Sequence, residues 1–525
     1  MPDDGGEFGA GNWVGSAAPE DSAGEAHLEA GLRERLLGDV LERTAQGSPP
    51  EPNAAWGAAE IADALSAWYG PELTRIGSDK SSLLAALDSD IAAIDALLSG
   101  QVNAILHAPE FQRLEAAWRG LRYLADLASG IEDAKVRVLS ITWTEIVRDL
   151  ERAADFDQSL LFHKIYSEEF GMPGGEPFGL IVADYAVQHH RTADHPTDDV
   201  NALKSLAAVA AAAFAPIVLG VSPATFQLDN FRELGRPIDV RAVFKSTDYL
   251  RWNAMREGAD MNFIGLALPR ILMRLPYRDD TRRVDGFRFS EAVHEPSGTG
   301  YLWGNAAFAF AGIVLRAFGD YGWFADIRGA PRDELRGGIV ADIPVPSFQT
   351  DRPGIAVKPS SECYISDLHE KDLAELGFIA MRKIPLTGYS VFNECQSVQI
   401  PVRYDRAAAT ANARLAAMLQ YTLCISRFAH FIKVMGREKT GSVITAEECQ
   451  EYLQRWLTGY CVGGDGTSME AKARYPLREG NVEVKNVPGR PGIYTCNIFL
   501  RPHYQLDDIA AGFRLVTELA PPSRA

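Results

Sequence analysis

The sequence predicts a mixed α/β protein with several domains, and three observations support this fold class. Helical and strand periodicities alternate through the middle of the chain, as they do in α/β cores. The chain is 525 residues long, whereas a single domain usually contains about 100–200 residues. The carboxy-terminal end shows the two-residue alternation of a β-hairpin. We therefore divide the chain into a flexible acidic region (1–55) with an amphipathic helix (22–43), a helical region (56–130), an α/β core (131–400) and a carboxy-terminal region of one long helical segment followed by β-strands (401–525).

The composition argues against several classes of protein. With 46% hydrophobic and 23% charged residues, the chain is not disordered as a whole. The net charge of −18 argues against binding to nucleic acid or to an anionic membrane surface. The longest run of small apolar residues, 206–219, is shorter than the ~20 residues of a membrane span, so we expect no membrane insertion. No signal-peptide pattern is visible and the six cysteines form no C-x-x-C pair, so we expect a cytoplasmic protein with reduced thiols.

The amino-terminal region carries a predicted helix between two flexible tethers. Ser22 and Glu25 have the spacing of a capping box, and glycine- and proline-rich sequence surrounds the predicted helix. Four apolar residues recur every four positions and form one stripe: Leu28, Leu32, Leu36 and Val40. Two interpretations stay open at this point. The stripe either packs on the body of the protein or binds in a groove of a partner.

The helical region contains two apolar stripes with a period close to 3.6 residues. The first stripe consists of Leu83, Leu87, Ile91, Ile94 and Leu98. The second follows Pro109, a favoured first-turn residue, and consists of Leu114, Trp118, Leu121 and Leu124. These stripes predict two amphipathic helices.

In the α/β core, strands and helices are predicted in alternation. Residues 135–143 alternate between apolar and polar and predict a strand, with Thr144 as the cap of a following helix. The apolar runs at 178–183 and 215–220 predict buried strands on either side of a helix at 201–215. A further buried helix is predicted at 306–318.

The carboxy-terminal region begins with a predicted helical stretch at 405–435 and ends in β-structure. Residues 481–487 and 493–501 alternate on both sides of the turn PGRPG, and 513–519 alternate again. Each strand therefore has one face to bury. The apolar residues that define these faces include Val482, Val484, Tyr494, Ile498 and Leu500.

The candidates for catalytic, phosphate-binding and metal-binding residues are weak. No phosphate-binding glycine loop, zinc-protease motif or nucleophile elbow is present. The glycine-rich loop at 171–179 contains Glu176, which would repel a phosphate, so we interpret it as a structural turn. His189, His190 and His195 cluster without further metal-ligand spacing, and Asp184 follows a predicted strand. We therefore predict no catalytic, cofactor-binding or metal-binding residue.

Long segments in collinear order between about residues 75 and 520 carry a family resemblance. They include NAILHAPEFQRLEAAWRGL at 103–121, FDQSLLFHKIYSEEFGMPGGEPFGLIVADY at 156–185, YLWGNAAFAF at 301–310 and SRFAHFIKVMGREKTGS at 426–442. Together they resemble the large subunit of the type VI secretion contractile sheath, the TssC/VipB family. Residues 383–401 and the first 60 residues depart from the family pattern.

The resemblance implies a structural subunit that is not an enzyme and needs no cofactor. Such a subunit pairs with a small sheath subunit (TssB/VipA-like) and polymerises as a helical tube around hexamers of an Hcp-like inner tube protein. The tube contracts to propel the inner tube and effectors out of the bacterial cell. The resemblance also implies a cytoplasmic sheath that is anchored to the envelope through a baseplate and recycled by a ClpV-like AAA+ unfoldase.

The same resemblance suggests roles for two sets of residues. The stripe of Leu28, Leu32, Leu36 and Val40 is then a binding helix for the unfoldase. The alternating residues Val482, Val484, Tyr494, Ile498 and Leu500 then belong to strands that link neighbouring subunits.

Two other interpretations are weighed against this one. The chain could be the sheath subunit of a different contractile injection machine, such as a phage tail, which would share the α/β core but not the quoted segments. It could also be an α/β enzyme that uses Asp184 or the cluster from His189 to His195. Metal content and histidine substitutions distinguish the enzyme from the sheath protein.

Overall fold

The computed structural model describes residues 58–77, 79–172, 174–279, 287–294, 298–331, 334–346, 358–439, 445–464, 467–486, 494–503 and 513–519. The helix predicted at 22–43, with Leu28, Leu32, Leu36 and Val40, lies outside these residues. The chain divides into two units, which are described separately below. The first comprises residues 1–108 and 277–292, and the second comprises residues 109–276 and 293–525.

The first unit is helical over its described residues up to 106, whereas its residues 277–279 and 287–292 form no helix. Its elements are α1 (Ala58–Tyr69), a 3₁₀ turn (Gly70–Glu72), α2 (Leu73–Ile76) and α3 (Lys80–Leu106). Trp68 Nε1 donates a hydrogen bond to Asp90 Oδ2 at 2.7 Å, which fastens α1 to α3. Asn103 Oδ1 accepts a hydrogen bond from the backbone N–H of Ala292 at 3.0 Å, which fastens residues 287–292 to the end of α3.

The second unit contains the other helices and all of the strands that the structure describes. Its helices are α4 (Pro109–Ala128), α5 (Trp143–Arg152), α6 (Leu160–Phe162, continued by a π-helix at His163–Gly171), α7 (Asp199–Ala213), α8 (Val240–Val243), α9 (Leu250–Arg256), α10 (Ala306–Tyr321), α11 (Asp367–Glu375), α12 (Ala407–Ala416), α13 (Leu419–Lys439), α14 (Ala446–Thr458) and α15 (Met469–Arg474). Short 3₁₀ helices lie at Phe156–Gln158, Pro223–Phe226, Phe231–Gly235, Thr247–Tyr249 and Ala259–Phe263.

A parallel sheet forms the centre of this unit. Its strands are β1 (Ile181–Val187), β2 (Ile217–Val221), β3 (Ile264–Leu268) and β7 (Ile379–Ala380), in the order β1-β2-β3-β7. Every residue of β2 and β3 is buried, as expected for a parallel sheet with helices on both faces. Leu219 lies in one hydrophobic cluster with Leu206 of α7, whereas Val218 lies in another with Phe310 of α10. The mixed α/β fold class predicted from the sequence is therefore confirmed.

Smaller sheets complete the second unit. β4 (Ile271–Leu272) pairs with β5 (Trp303–Gly304), and β9 (Ser390–Val391) lies between β6 (Ile339–Val340) and β8 (Arg382–Lys383). The last sheet consists of β10 (Leu477–Asn486), β11 (Tyr494–Pro502) and β12 (Phe513–Leu519).

The packing of helix α4 explains why the W-R-G-L segment contains a glycine. A Cβ on Gly120 would come within 2.4 Å of the Phe308 ring of α10, so only glycine allows this close approach. Leu124 is buried at the same contact. Leu114 and Trp118, which belong to the predicted stripe, are instead exposed, with 65% of Trp118 accessible.

The structure corrects the strand predicted at 135–143. Residues 134–142 form no strand, and helix α5 begins at Trp143 with Thr142, not Thr144, as its cap. Thr142 and Glu145 make a capping box, which fixes this start. Alternating residues form a strand only beside another strand, and no strand pairs with this segment within the described part of the chain. Val138 is accordingly exposed.

A candidate assembly site in the carboxy-terminal sheet

The carboxy-terminal sheet is antiparallel, with β11 in the middle. Val482 of β10 lies opposite Ile498 of β11, and Ile498 lies opposite Leu515 of β12. The predicted hairpin and the predicted third strand are therefore both present as strands of one sheet.

The apolar face of this sheet is buried inside its own unit. Val482, Val484, Ile498 and Leu500 are all buried and belong to one hydrophobic cluster. The cluster also contains residues of α13 and α14, namely Phe428, Ala429, Ile432, Leu453 and Leu457, and the half-buried Tyr494 packs against it. The five residues that the sequence analysis assigned to linking strands thus pack against helices of the same chain.

Two glutamines of α14 close the β10 edge. Gln454 Nε2 donates to the backbone oxygen of Gly480 at 2.9 Å, and Gln454 Oε1 accepts from the backbone N–H of Val482 at 2.8 Å. Gln450 Oε1 accepts from the backbone N–H of Val484 at 3.0 Å. Side-chain amides carry the same donor and acceptor groups as a neighbouring strand, so they satisfy these backbone groups in its place. An edge covered in this way is protected from pairing with another chain.

The bonds to the glutamines also define the direction of the backbone groups of β12. Because Val482 points its N–H away from β11, its opposite residue Ile498 points its N–H away from β10 and toward β12. Leu515, opposite Ile498, therefore directs its backbone groups toward β11. The alternate residue Val516 directs its N–H and C=O to the outer edge, and no strand of the described chain pairs with that edge. One edge of the sheet is closed, and the other has backbone groups that a further strand could pair with.

Helix α13 fastens this sheet to the α/β core through two half-buried cations and one buried histidine. The Arg427 guanidinium lies 4.9 Å from the Phe318 and Phe431 ring centroids, and burial lowers its pKa. Lys433 Nζ donates to Tyr166 Oη at 2.9 Å. The contacts of α13 therefore reach both α10 and the π-helix, and they make the sheet part of the same packed unit.

His430 sits at the centre of this junction. Its side chain is buried, and Nε2 donates to the backbone oxygen of Ala213 at 3.0 Å. Nδ1 has no hydrogen-bond partner among the described residues. Burial, with a smaller contribution from the nearby Arg427 charge, lowers the pKa of His430 to about 4. The ring is therefore neutral near pH 7.

The histidines considered for metal binding are held by internal hydrogen bonds. His189 Nε2 and His190 Nδ1 lie 2.8 Å apart, and His189 stacks on Tyr249. His195 Nε2 lies 2.6 Å from Asp199 Oδ2. Asp199 also accepts bonds from three further donors: Trp143 Nε1, the backbone N–H of Gln188 and Thr197 Oγ1. The Asp199 carboxylate is thus occupied by hydrogen bonds to the surrounding loop and to Trp143.

The other candidates for a chemical role are Asp184 and the glycine-rich loop at 171–179. Asp184 lies within β1, not after it, and is exposed on this edge strand. Glu176, in the glycine-rich loop, forms ion pairs with Lys135 and Arg137. No group of three or more His, Cys, Asp or Glu side chains in the described ranges is placed to hold a metal ion. None of the described helices is both long and apolar enough to cross a membrane.

Comparison with known proteins identifies the family. Residues 88–399 match the family model described as EvpB/VC_A0108, tail sheath N-terminal domain. Residues 408–519 match the model described as EvpB/VC_A0108, tail sheath gpW/gp25-like domain. The chain is 39% identical over 473 residues to the type VI secretion system sheath protein TssC1 of Pseudomonas aeruginosa. The aligned residues make up 90% of this chain and 93% of that protein. The chain belongs to the TssC/VipB family of type VI secretion sheath large subunits.

The two TssC/VipB models divide the chain between its sheets. The first ends at residue 399, after the parallel sheet, and the second contains α13, α14 and the three-stranded sheet. The glutamines Gln450 and Gln454 therefore lie in the gpW/gp25-like part, as does the open edge of β12. Neither glutamine was predicted from the sequence. Their spacing of four residues on a helix is common, and the strand that they cover lies far along the chain.

Proposed function

We propose that this TssC/VipB chain is a structural, non-catalytic subunit that pairs with a small sheath subunit and polymerises around an inner tube. The sheath then contracts and propels the inner tube and its effectors out of a bacterial cell. The family assignment supports a sheath subunit, and the asymmetric carboxy-terminal sheet supports polymerisation. The single observation that supports polymerisation is that the β12 edge of the sheet is open whereas the β10 edge is closed.

In this proposal, a strand from a neighbouring subunit pairs with the outer edge of β12. Strand addition gives directional backbone bonds, and the register of such a strand is fixed by the alternation of its side chains. The neighbouring subunits stay attached through these bonds while they rotate during contraction. The buried faces of Val482, Val484, Ile498 and Leu500, together with Tyr494, keep the receiving sheet rigid.

The family resemblance supports the remaining partners of this proposal. The inner surface of the sheath surrounds hexamers of an Hcp-like tube protein, and the sheath is attached to the envelope through a baseplate. A ClpV-like AAA+ unfoldase recycles the contracted sheath by binding the stripe of Leu28, Leu32, Leu36 and Val40. The whole assembly lies in the cytoplasm.

Purification with and without the small subunit tests the pairing. An unpaired strand edge promotes aggregation, so we expect the chain expressed alone to be heterogeneous by size-exclusion chromatography with light scattering. Co-expression with the small subunit should give a soluble complex with one copy of each chain. A monodisperse monomer that does not bind the small subunit would contradict the proposal.

A further inference from the structure

The hairpin formed by β8 and β9 presents a leucine to solvent at its tip. Leu386 is 94% exposed, more than any other large apolar side chain of the described residues. Its φ is 61°, in the left-handed region that is unusual for a bulky residue and easy for glycine. Pro385 precedes it, and the Thr387 N–H donates to the Ile384 oxygen at 3.3 Å, so Leu386 occupies a turn position that commonly holds glycine. Within its own subunit, Leu386 therefore adds backbone strain and gains almost no burial.

Hydrogen bonds at the base of the hairpin hold this tip in place. The Ile384 N–H donates to the Tyr389 oxygen at 3.0 Å, and the Tyr389 N–H donates to Thr387 Oγ1 at 3.2 Å. β9 pairs with β6, and the Met381 N–H donates to the Leu268 oxygen of β3 at 2.8 Å. The hairpin is thus joined to the central sheet. A binding partner would meet a leucine that is already fixed in position, which lowers the entropy cost of binding.

The surroundings of the tip indicate which kind of surface it fits. Residues 384–393 contain no charged side chain, although 23% of the residues in the whole chain are charged. Pro385 and Gly388 are exposed beside Leu386, and Tyr389 is 40% exposed. A surface that receives this tip is therefore apolar and needs no countercharge.

Helix α4 of the same unit carries a surface of this kind. Three large apolar residues share one of its faces, each between 38% and 65% exposed: Phe111, Leu114 and Trp118. We call these three residues the α4 stripe. The charge of the neighbouring Glu115 is balanced by Arg119 and Arg274, whose Nε atoms lie 2.7 Å and 2.8 Å from Glu115 Oε1. The α4 stripe therefore offers apolar area beside a carboxylate that is already paired.

We propose that Leu386 of one copy of this chain docks on the α4 stripe of a second copy in the sheath. This inference rests on the proposed function, because it takes the polymer as given, and it adds a contact between large subunits. The leucine and the α4 stripe are both exposed in one copy, so each copy can give and receive the contact. Such a head-to-tail contact repeats from copy to copy and does not close a pair, as a helical polymer requires. Burial of the leucine against the tryptophan ring offsets the strain of the turn.

Leu386→Gly separates the contact from the fold, because it removes the side chain and relieves the strained backbone. We expect this variant to bind the small subunit normally, with a urea midpoint that does not fall. The concentration needed to form tubes, measured by sedimentation and electron microscopy, should rise about tenfold. Leu386→Met keeps an apolar side chain and should restore assembly. Leu160→Ala removes a leucine of α6 that is 73% exposed, and it serves as the control that should assemble like the unaltered chain.

Trp118→Ala tests the receiving surface. Trp118 is largely exposed, so the variant should fold, as circular dichroism would verify. We expect the concentration needed to form tubes to rise as it does for Leu386→Gly. The double variant should assemble no worse than the weaker of the two single variants, because both substitutions remove the same contact. Effects that simply add would show that the two residues contact different surfaces, and would overturn the inference.

The other outcomes separate this inference from the proposed function. If the unaltered chain forms tubes with the small subunit and Leu386→Gly forms them at the same concentration, the contact is wrong while polymerisation stands. If Leu386→Gly no longer binds the small subunit, the tip docks on that subunit, and the inference is overturned. If the unaltered chain forms no tubes at all, the proposed function fails and the inference fails with it.

Discussion

The side chain of Gln454 acts toward Val482 as a neighbouring strand would. Its Oε1 accepts the Val482 N–H at 2.8 Å, and its Nε2 returns a bond to the preceding outward carbonyl of β10, at Gly480. The consequence is an asymmetric sheet, because no described strand pairs with the outer edge of β12. In the proposed polymer, attachment through a single edge would give each subunit one direction of attachment, which an ordered tube requires.

The first prediction concerns the closed edge. Replacing Gln454 and Gln450 with alanine leaves three backbone groups of β10 without these partners, and each lost bond costs about 1 kcal/mol. We expect the free energy of unfolding to fall by about 1–3 kcal/mol in urea titrations and aggregation to increase, because a second edge is exposed. The exposed Glu451 supplies a control, Glu451→Ala. Equal urea midpoints for the double variant and the control would show that the glutamines do not stabilise the edge.

The second prediction concerns the open edge. Proline has no N–H, so Val516→Pro removes an outward donor without removing a bond to β11. We expect this variant to pair normally with the small subunit but to form no long sheaths under the electron microscope. Leu515→Pro is the contrasting variant, because it removes a bond inside the sheet and should destabilise the unit itself. Sheaths of normal length from Val516→Pro would refute strand addition at this edge.

The third prediction follows from the buried histidine. The pKa of His430 is lowered to about 4 in the folded chain, while an unfolded histidine has a pKa near 6.5. Below pH 6.5 the unfolded state therefore takes up a proton that the folded state refuses, so stability falls as the pH decreases from 6.5 toward 4. His430 accounts for about 2–3 kcal/mol of this loss.

His430→Phe removes the titrating group and should flatten that part of the stability profile relative to the unaltered protein. The measurement is the urea midpoint between pH 7 and pH 4, with the exposed His163→Gln as control. The same pH dependence in the His430→Phe variant and the unaltered chain would show that another group is responsible.

The fourth prediction concerns the amino-terminal stripe. Leu32→Asp with Leu36→Asp should abolish binding of the recycling unfoldase and leave sheath formation unchanged, because a proline-rich stretch of sequence lies between this segment and the described residues. Ala30→Asp with Gly38→Asp adds the same charge on the opposite face of the predicted helix and should retain binding. Pull-down of the unfoldase on assembled sheaths measures both. Normal binding by the stripe variant would assign the segment another role.

The sequence predicted the fold class and the last sheet well, because both depend on local periodicity. The run at 178–183 lies close to β1, and the alternation around the PGRPG turn predicted β10 and β11. The strand predicted at 135–143 was wrong, because alternation describes a side-chain pattern and cannot supply a pairing strand. Local pattern also says nothing about contacts between distant residues, and so Gln454 went unnoticed as the partner of Val482.

The inward faces of β10 and β11 illustrate the same limit for the candidate site. Alternation at Val482 and Ile498 correctly predicted that each strand buries one face, but not against which surface. Helices α13 and α14 supply that surface from the same chain. A substitution of Ile498 therefore tests the folding of the unit, whereas a substitution of Val516 tests its assembly.

Negative-stain electron microscopy of the chain co-expressed with its small subunit tests the central claim most directly. A sheath subunit should give long hollow tubes of uniform diameter, and the Val516→Pro variant should give separate complexes of the two chains under the same conditions. Soluble complexes that never form tubes, from the unaltered chain at any concentration, would contradict the account.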